Sequence, residues 1–252
     1  MSLVILLEAM KIHKLRHEKT VQLWFVLLYV INLLPLVLPI GDKDFTPLLG
    51  AFAEMSAGRF DVPPVGDLLT PGNWLIIGLL LLTNLVTLFF GLMYVTLFVG
   101  EKDDRTPRQA VLGCFRALPS LLALGLLLLL PALFSALLAF IPLVVFLLMI
   151  YFLPLNLTLE RKNLAMALQD SLAATRHRKL FIFFKVVLLS FVLSLPQRLV
   201  QSMVTSVLAY YALSTFFLVL QSFMHARLMG ILYLYLVKKV PFVIPSKPDT
   251  AA

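Results

Sequence analysis

The chain has 252 residues, of which 61% are hydrophobic and only 13% charged, with a mean hydropathy of +0.97. A soluble globular chain has roughly 45–50% apolar and about 25% charged residues, so the composition excludes an ordinary soluble domain and points to an integral membrane protein. The net charge of +8 then reads as a question of which side of a bilayer the cations occupy, not as a nucleic-acid footprint.

Residues 1–19 predict a short amphipathic helix. Leu3, Leu7 and Met10 sit at i, i+4 and i+7, and Lys11, Lys14, Arg16 and Lys19 crowd its later half. Such a helix lies in the interface with its cations toward anionic headgroups. It is not a secretory signal, because the apolar run 3–7 is too short and the basic cluster follows it. The first span is expected over 21–40, with Trp24 and Tyr29 near its entry and Pro35 and Pro39 near its exit. Residues 41–72 form the longest polar stretch, with Asp42, Asp44, Glu54, Asp61 and Asp67 against Lys43 and Arg59. The carboxylates match no calcium-loop spacing, and the turn signal at 63–67 predicts a solvated loop. Trp74 opens a second span over 73–100, which contains Thr83, Asn84 and Thr87.

A helix start follows at Thr106. It is an N-cap residue, Pro107 suits the first helical position, and Gln109 completes a capping-box spacing. Val111, Leu112, Phe115 and Leu118 share one face, which predicts a surface elbow helix over 107–118. It is expected to turn at Pro119 into a third span, 117–133. Residues 117–159 contain no charged residue and no histidine, 43 positions in all. A single helix of that length would reach roughly 64 Å, about twice a ~30 Å hydrocarbon core. Two spans are therefore expected, with a turn near 134–139 and a fourth span over 137–159. A second elbow is expected over 163–178, where Leu164, Leu168 and Leu172 recur and Arg161, Gln169, Asp170 and Arg176 lie elsewhere. Arg176, Arg178 and Lys179 lead into a fifth span, 180–200, kinked at Pro196. The sixth, 207–237, ends at Lys238 and Lys239, and Pro241, Pro245 and Pro248 mark an irregular tail over 240–252. The expected fold is all-α: a polytopic bundle of six spans with in-plane elbow helices, in one membrane domain.

With the N-terminus inside, the inner segments hold seventeen Lys and Arg residues, and the outer ones hold three, Lys43, Arg59 and Arg198. This bias predicts a multi-pass protein of the cytoplasmic (inner) membrane with both termini cytoplasmic. A pattern of basic segment, span, outer connection and returning span also recurs three times, over about 1–100, 101–159 and 160–252. Glu101 and Glu160 close the returning spans at matching places. A carboxylate at a helix C-terminus opposes the dipole, which suggests pairing with Arg105 or Arg161.

Glu160 at the end of span four, the elbow Ala167-Leu168-Gln169-Asp170-Ser171-Leu172 and the basic turn 176–179 carry a resemblance. So do the earlier elbow 109–118 and the aromatic end Leu232-Tyr233-Leu234-Tyr235. Together they resemble bacterial six-helix inner-membrane proteins, uncharacterised and similar to the membrane domain of glycerophosphodiester phosphodiesterases. The resemblance covers most of 101–239 and departs from the family where Pro142 is followed by Leu143 instead of Gly. It implies an architecture and an envelope role. It transfers no catalytic residue, since the family carries none that is established, and the phosphodiesterase activity belongs to a separate soluble domain in the proteins it is similar to.

No catalytic motif is present. His13, His17, His177 and His225 are scattered, no nucleophile elbow or phosphate-binding glycine loop occurs, and the single cysteine, Cys114, permits no intrachain disulfide. The chain is expected to be a non-enzymatic membrane protein without a cofactor, envelope-related or accessory to a membrane complex. Its partners are the lipid bilayer, anionic lipid headgroups and a membrane protein partner, with no nucleic acid. The alternative is a permease subunit of an ABC-type transporter, in which Glu160, Asp170 and Arg176 would dock a cytoplasmic ATPase. One further pattern lies in span six. Tyr210, Ser214, Gln221 and His225 fall within about 60° of one another on a helical wheel. This polar stripe is a candidate packing seam or site, with Asn84 and Asn156 as candidate partners. Arg227, off the stripe, is expected either deep in the bilayer or snorkelling toward its edge.

Overall fold

The computed structural model describes residues 2–59, 63–136, 140–160 and 162–240. Among them the chain forms α1 (Ser2–Met10), α2 (Glu18–Val37), α3 (Thr46–Ser56), α4 (Val65–Leu68), α5 (Pro71–Gly100), a 3-10 turn (Glu101–Asp103), α6 (Pro107–Ala136), α7 (Ile141–Met149), α8 (Leu153–Leu159), α9 (Leu164–Thr175), α10 (Lys179–Ser202) and α11 (Val207–Leu236), with no strand. Six stretches are long and apolar enough to cross a membrane: Glu18–Val37, Pro71–Asp103, Pro107–Ser135, Ile141–Leu159, Lys179–Ser202 and Val207–Leu236. The protein is an all-α polytopic membrane protein. Asp61, Arg161, part of the turn near 134–139 and the proline-rich tail from Pro241 lie outside the described residues.

Two compact units divide the chain. One gathers the described residues of 1–21, 91–195 and 221–252, the other those of 22–90 and 196–220.

In the second unit the stretch 41–72 is exposed over most of its described residues, as its composition suggests, but it is not an irregular loop. It contains α3 and α4, and its ends are tied together by short polar side chains. Thr70 Oγ1 donates to Asp42 Oδ2 at 2.9 Å, and Asn73 Nδ2 donates to the carbonyls of Asp42 at 2.8 Å and Asp44 at 3.1 Å. Gly41 sits at φ 69°, and a Cβ there would lie 2.7 Å from the Gly72 carbonyl oxygen. The turn therefore needs glycine for both its conformation and its close approach. Deeper in this unit Asn32 Nδ2 donates to Thr87 Oγ1 at 3.0 Å, with both side chains buried. That pair satisfies two polar groups which lipid would leave unpartnered.

In the first unit three expectations change. The helix expected over 1–19 is confined to α1, and it buries Ile5, Leu6 and Ala9 while Leu7 and Met10 are exposed. The elbow expected over 107–118 is not separate: α6 runs unbroken through Pro119. Its inward stripe, Ala110, Cys114, Ala117 and Leu124, keeps helical spacing across the proline, which lies on the exposed side. Leu112 and Phe115, on the apolar face expected to turn to the membrane surface, are 48% and 55% exposed. The physical reason is the solvent. Lipid tails are as apolar as leucine, so small residues mark helix contacts and large ones can face outward.

The third change is a break in span four, expected to be continuous over 137–159. Pro154 lacks an N–H, and its ring would clash with the carbonyl four residues earlier, at Ile150. α7 therefore ends at Met149 and α8 restarts at Leu153 with the proline in its first turn. Glu101 also finds a partner other than the expected Arg105, while Arg161, expected beside Glu160, lies outside the described residues. Glu101 Oε1 accepts the backbone N–H of His17 at 3.2 Å, just ahead of α2, where a carboxylate suits the helix dipole. Arg105 donates to the Leu159 carbonyl at 2.7 Å, at the C-terminus of α8, instead of pairing with a glutamate.

Candidate functional site

α9 is seated by its N-cap and by the break in span four. The Asn163 side chain accepts the Met166 N–H at 2.8 Å and starts the helix. Ala167, Ser171 and Thr175 then form its buried face, with Leu164 and Leu168 packed against Ala117, Leu153 and Leu157. α9 is the elbow expected over 163–178, and this face of it packs on protein.

Three helix ends meet around the resulting cavity, of about 770 Å³. α8 contributes Asn156 and Glu160, α9 and its exit contribute Asp170, Arg176 and Arg178, and the end of α11 contributes Lys239. Asn156, Glu160, Asp170 and Arg176, candidates for two different roles in the sequence, are thus brought together.

The acids here are neutralised. Lys162 Nζ lies 2.6 Å from Glu160 Oε2 and 2.6 Å from Asp170 Oδ2, and Lys238 Nζ lies 2.9 Å from Glu160 Oε1. The Tyr233 hydroxyl adds a donor at 3.1 Å from Glu160 Oε1. Burial alone would raise the Glu160 carboxyl, but the bonds from Lys162 and Lys238, the Lys238 charge and Tyr233 outweigh it and hold the pKa at about 2. Lys162 is held above its ordinary range by Asp170 first and Glu160 second. Glu160 and Lys162 also line a second cavity of about 600 Å³, with Arg105 and Arg116 on its wall.

The cations are not all neutralised. Among the described residues, Arg176, Arg178 and Lys239 make no ion pair. Arg176 and Lys239 lie just beyond the C-termini of α9 and α11, where the carbonyl ends favour a positive charge without a carboxylate; Arg178 lies in the turn between α9 and α10, immediately ahead of Lys179. Two left-handed residues shape these exits, His177 at φ 61° and Lys239 at φ 53°.

Because the folded carboxyl of Glu160 titrates below its ordinary value of 4.5, its contribution to stability is complete above that value. It disappears as the pH falls toward about 2. Glu160→Gln is expected to lower the melting temperature in detergent at neutral pH. The gap to wild type should close progressively below pH 4.5; a gap unchanged by acid would place the effect elsewhere.

The other candidates lie apart from this cavity. Tyr210 is exposed with its ring against Tyr211, and Ser214 Oγ accepts from Gln201 Nε2 at 2.8 Å, both in the second unit. Gln221 and His225 belong to the first unit. His225 Nε2 is 2.9 Å from Ser190 Oγ, and Nδ1, 2.8 Å from the Gln221 carbonyl, donates to it. Asn84 is not a partner of that stripe: it is exposed and returns its amide to the Leu80 carbonyl at 2.8 Å in its own helix. Asn156 is also turned elsewhere, toward α9. Arg227 does not extend to the protein surface. It is 4% exposed and wholly engaged with protein. The sequence does not single out Lys162, Arg178, Lys238 and Lys239 as site residues, because basic residues at span ends signal sidedness, and it offers Tyr233 only as part of an aromatic end.

No family model matches the chain, and no curated protein or solved structure matches it either.

Proposed function

We propose that this is a non-catalytic multi-pass protein of the cytoplasmic membrane, with both termini in the cytoplasm. We propose also that the cavity of α8, α9 and α11 engages anionic headgroups on that side. The observation that carries this reading is the set of cations, Arg176, Arg178 and Lys239, which line a headgroup-sized cavity and make no ion pair among the described residues. Basic pockets between membrane helices on the cytoplasmic side suit anionic lipid headgroups. The distribution of Lys and Arg along the sequence, seventeen against three, supports the orientation. An envelope role as an accessory to a membrane complex fits the same reading. Under the permease alternative α9 would offer its charges outward to an ATPase, but Asp170 is engaged by Lys162, which favours the first reading.

Topology gives the first test. A reporter active only in the cytoplasm is expected to work when fused after Lys239 and to be silent when inserted at Ser56. The opposite pattern would overturn the orientation. Headgroup engagement is tested by melting the purified protein in nanodiscs. Stabilisation by anionic over zwitterionic lipid is expected, and equal melting in both would remove the headgroup reading.

A further inference from the structure

We infer that the cavity of α8, α9 and α11 is a site for a phosphate ester that carries a free hydroxyl, with Arg176, Arg178 and Lys239 on the phosphate and Asn156 accepting from the hydroxyl. The inference rests on the headgroup reading above and goes further by naming the ligand chemistry.

Asn156 carries the argument. It is 1% exposed, it lines the cavity, and its Nδ2 donates to the Ala167 carbonyl at 3.1 Å. That carbonyl can only accept, so it fixes the orientation of the amide: exchanging N and O would set two oxygens face to face. The other end of the amide is therefore the oxygen, and Oδ1 is buried without a hydrogen-bond partner. A buried acceptor lacking a donor is costly and uncommon in a native structure. Lys162, which lines the same cavity, does not serve it: its ammonium bonds Glu160 and Asp170.

The cations and the amide make different demands. Arg176, Arg178 and Lys239 favour an anion, and phosphate offers the oxygens that guanidinium groups bind as a fork. A bare anion would leave Asn156 Oδ1 unsatisfied. A phosphate with a hydroxyl a few bonds away meets both demands. The volume of about 770 Å³ lies within the range of small-molecule sites, roughly 300–1,000 Å³. Two sources share this chemistry: a lipid headgroup such as that of phosphatidylglycerol, and a soluble hydroxyalkyl phosphate.

The test compares full-length protein in nanodiscs of phosphatidylcholine alone, or with either phosphatidylglycerol or phosphatidylmethanol. The last two have the same charge and differ in the hydroxyls. Wild type is expected to prefer phosphatidylglycerol over phosphatidylmethanol by roughly 2- to 10-fold in apparent affinity, the scale of one hydrogen bond. Asn156→Leu should equalise the two while keeping the preference of both over phosphatidylcholine. Lys239→Gly with Arg178→Gln should reduce that anionic preference, and glycine suits the left-handed backbone at 239, so the fold is kept. A stabilisation in pure phosphatidylcholine by 2-hydroxyethyl phosphate, lost in Asn156→Leu, would support the site with a soluble source. Equal affinity of wild type for phosphatidylglycerol and phosphatidylmethanol, both above phosphatidylcholine, with no effect of 2-hydroxyethyl phosphate, would overturn the hydroxyl assignment and leave the headgroup reading standing. No difference among the three lipids and no response to 2-hydroxyethyl phosphate would overturn both.

Discussion

Arg227→Met is expected to destabilise the first unit by about 3–5 kcal/mol and to release α1. The guanidinium is 4% exposed. Its Nε donates to the Glu8 carbonyl at 2.8 Å, and Nη1 reaches the Lys14 carbonyl at 3.3 Å and the Tyr94 hydroxyl at 3.2 Å. Tyr94 in turn donates to the Ile12 carbonyl at 3.2 Å. Glu8 lies in the last turn of α1, where carbonyls have no helical partner and the dipole favours a cation. The face of Phe98 closes the far side, 4.6 Å from the guanidinium, and Gly230 leaves the room: a Cβ there would fall 2.5 Å from that ring. One side chain thus binds α1, the turn after it, α5 and α11. Methionine fills the volume but leaves two carbonyls without a charged donor, each such bond being worth about 1.5–3 kcal/mol. Lysine keeps the charge but is a point donor, so Arg227→Lys should recover less than half of the loss. Limited proteolysis over 11–16 and the melting temperature in detergent are the readouts. A methionine variant that melts like wild type with this turn protected would refute the clasp.

What could be read in the sequence was what depends on a few neighbouring residues or on bulk composition. The six spans follow from length and hydropathy. The start of α6 follows from its capping box: the Thr106 N–H meets Gln109 Oε1 at 3.0 Å, and the Gln109 N–H reaches Thr106 Oγ1 at 3.4 Å. The sequence could not indicate which face packs. In water an apolar stripe turns inward, but in lipid Leu112 and Phe115 lose nothing by facing out, while Ala110 and Cys114 allow close approach. Pro154 was a visible signal for the break in span four, hidden by the uniform apolarity around it. The candidate cavity was half legible. Glu160, Asp170 and Arg176 stood out as a charged connection, and Asn156 as a polar residue in a span. That Lys239, more than sixty residues further along, joins them depends on how α8, α9 and α11 pack, which no local pattern encodes.

The break itself supports the second large prediction. Between α7 and α8 the backbone leaves Met149 C=O and Phe152 N–H without helical partners, in surroundings where Ile150, Phe152 and Leu153 are buried. Irregular backbone at such a place persists only if protein groups satisfy it. Ser171 does both tasks: its Oγ accepts the Phe152 N–H at 3.2 Å and donates to the Met149 carbonyl at 2.9 Å. Thr175 Oγ1 lies 3.1 Å from the same carbonyl, but its one proton also has the Ser171 carbonyl within 2.9 Å. The two hydroxyls are therefore redundant for the carbonyl and not for the N–H. Thr175→Val alone should cost little, below about 1 kcal/mol, because Ser171 still serves Met149. Ser171→Ala should cost about 1–3 kcal/mol for the orphaned N–H. The double change orphans the carbonyl as well, so its cost should exceed the sum of the single ones by about 1 kcal/mol or more. Loss of this seat would also loosen α9 and with it the Asn156–Ala167 bond and the Lys162 bridge, so the double variant should lose its preference for anionic lipid if that reading is right. A double-mutant cycle on unfolding in mixed detergent measures the coupling. Strict additivity would mean that another group, and not this hydroxyl pair, satisfies the broken backbone.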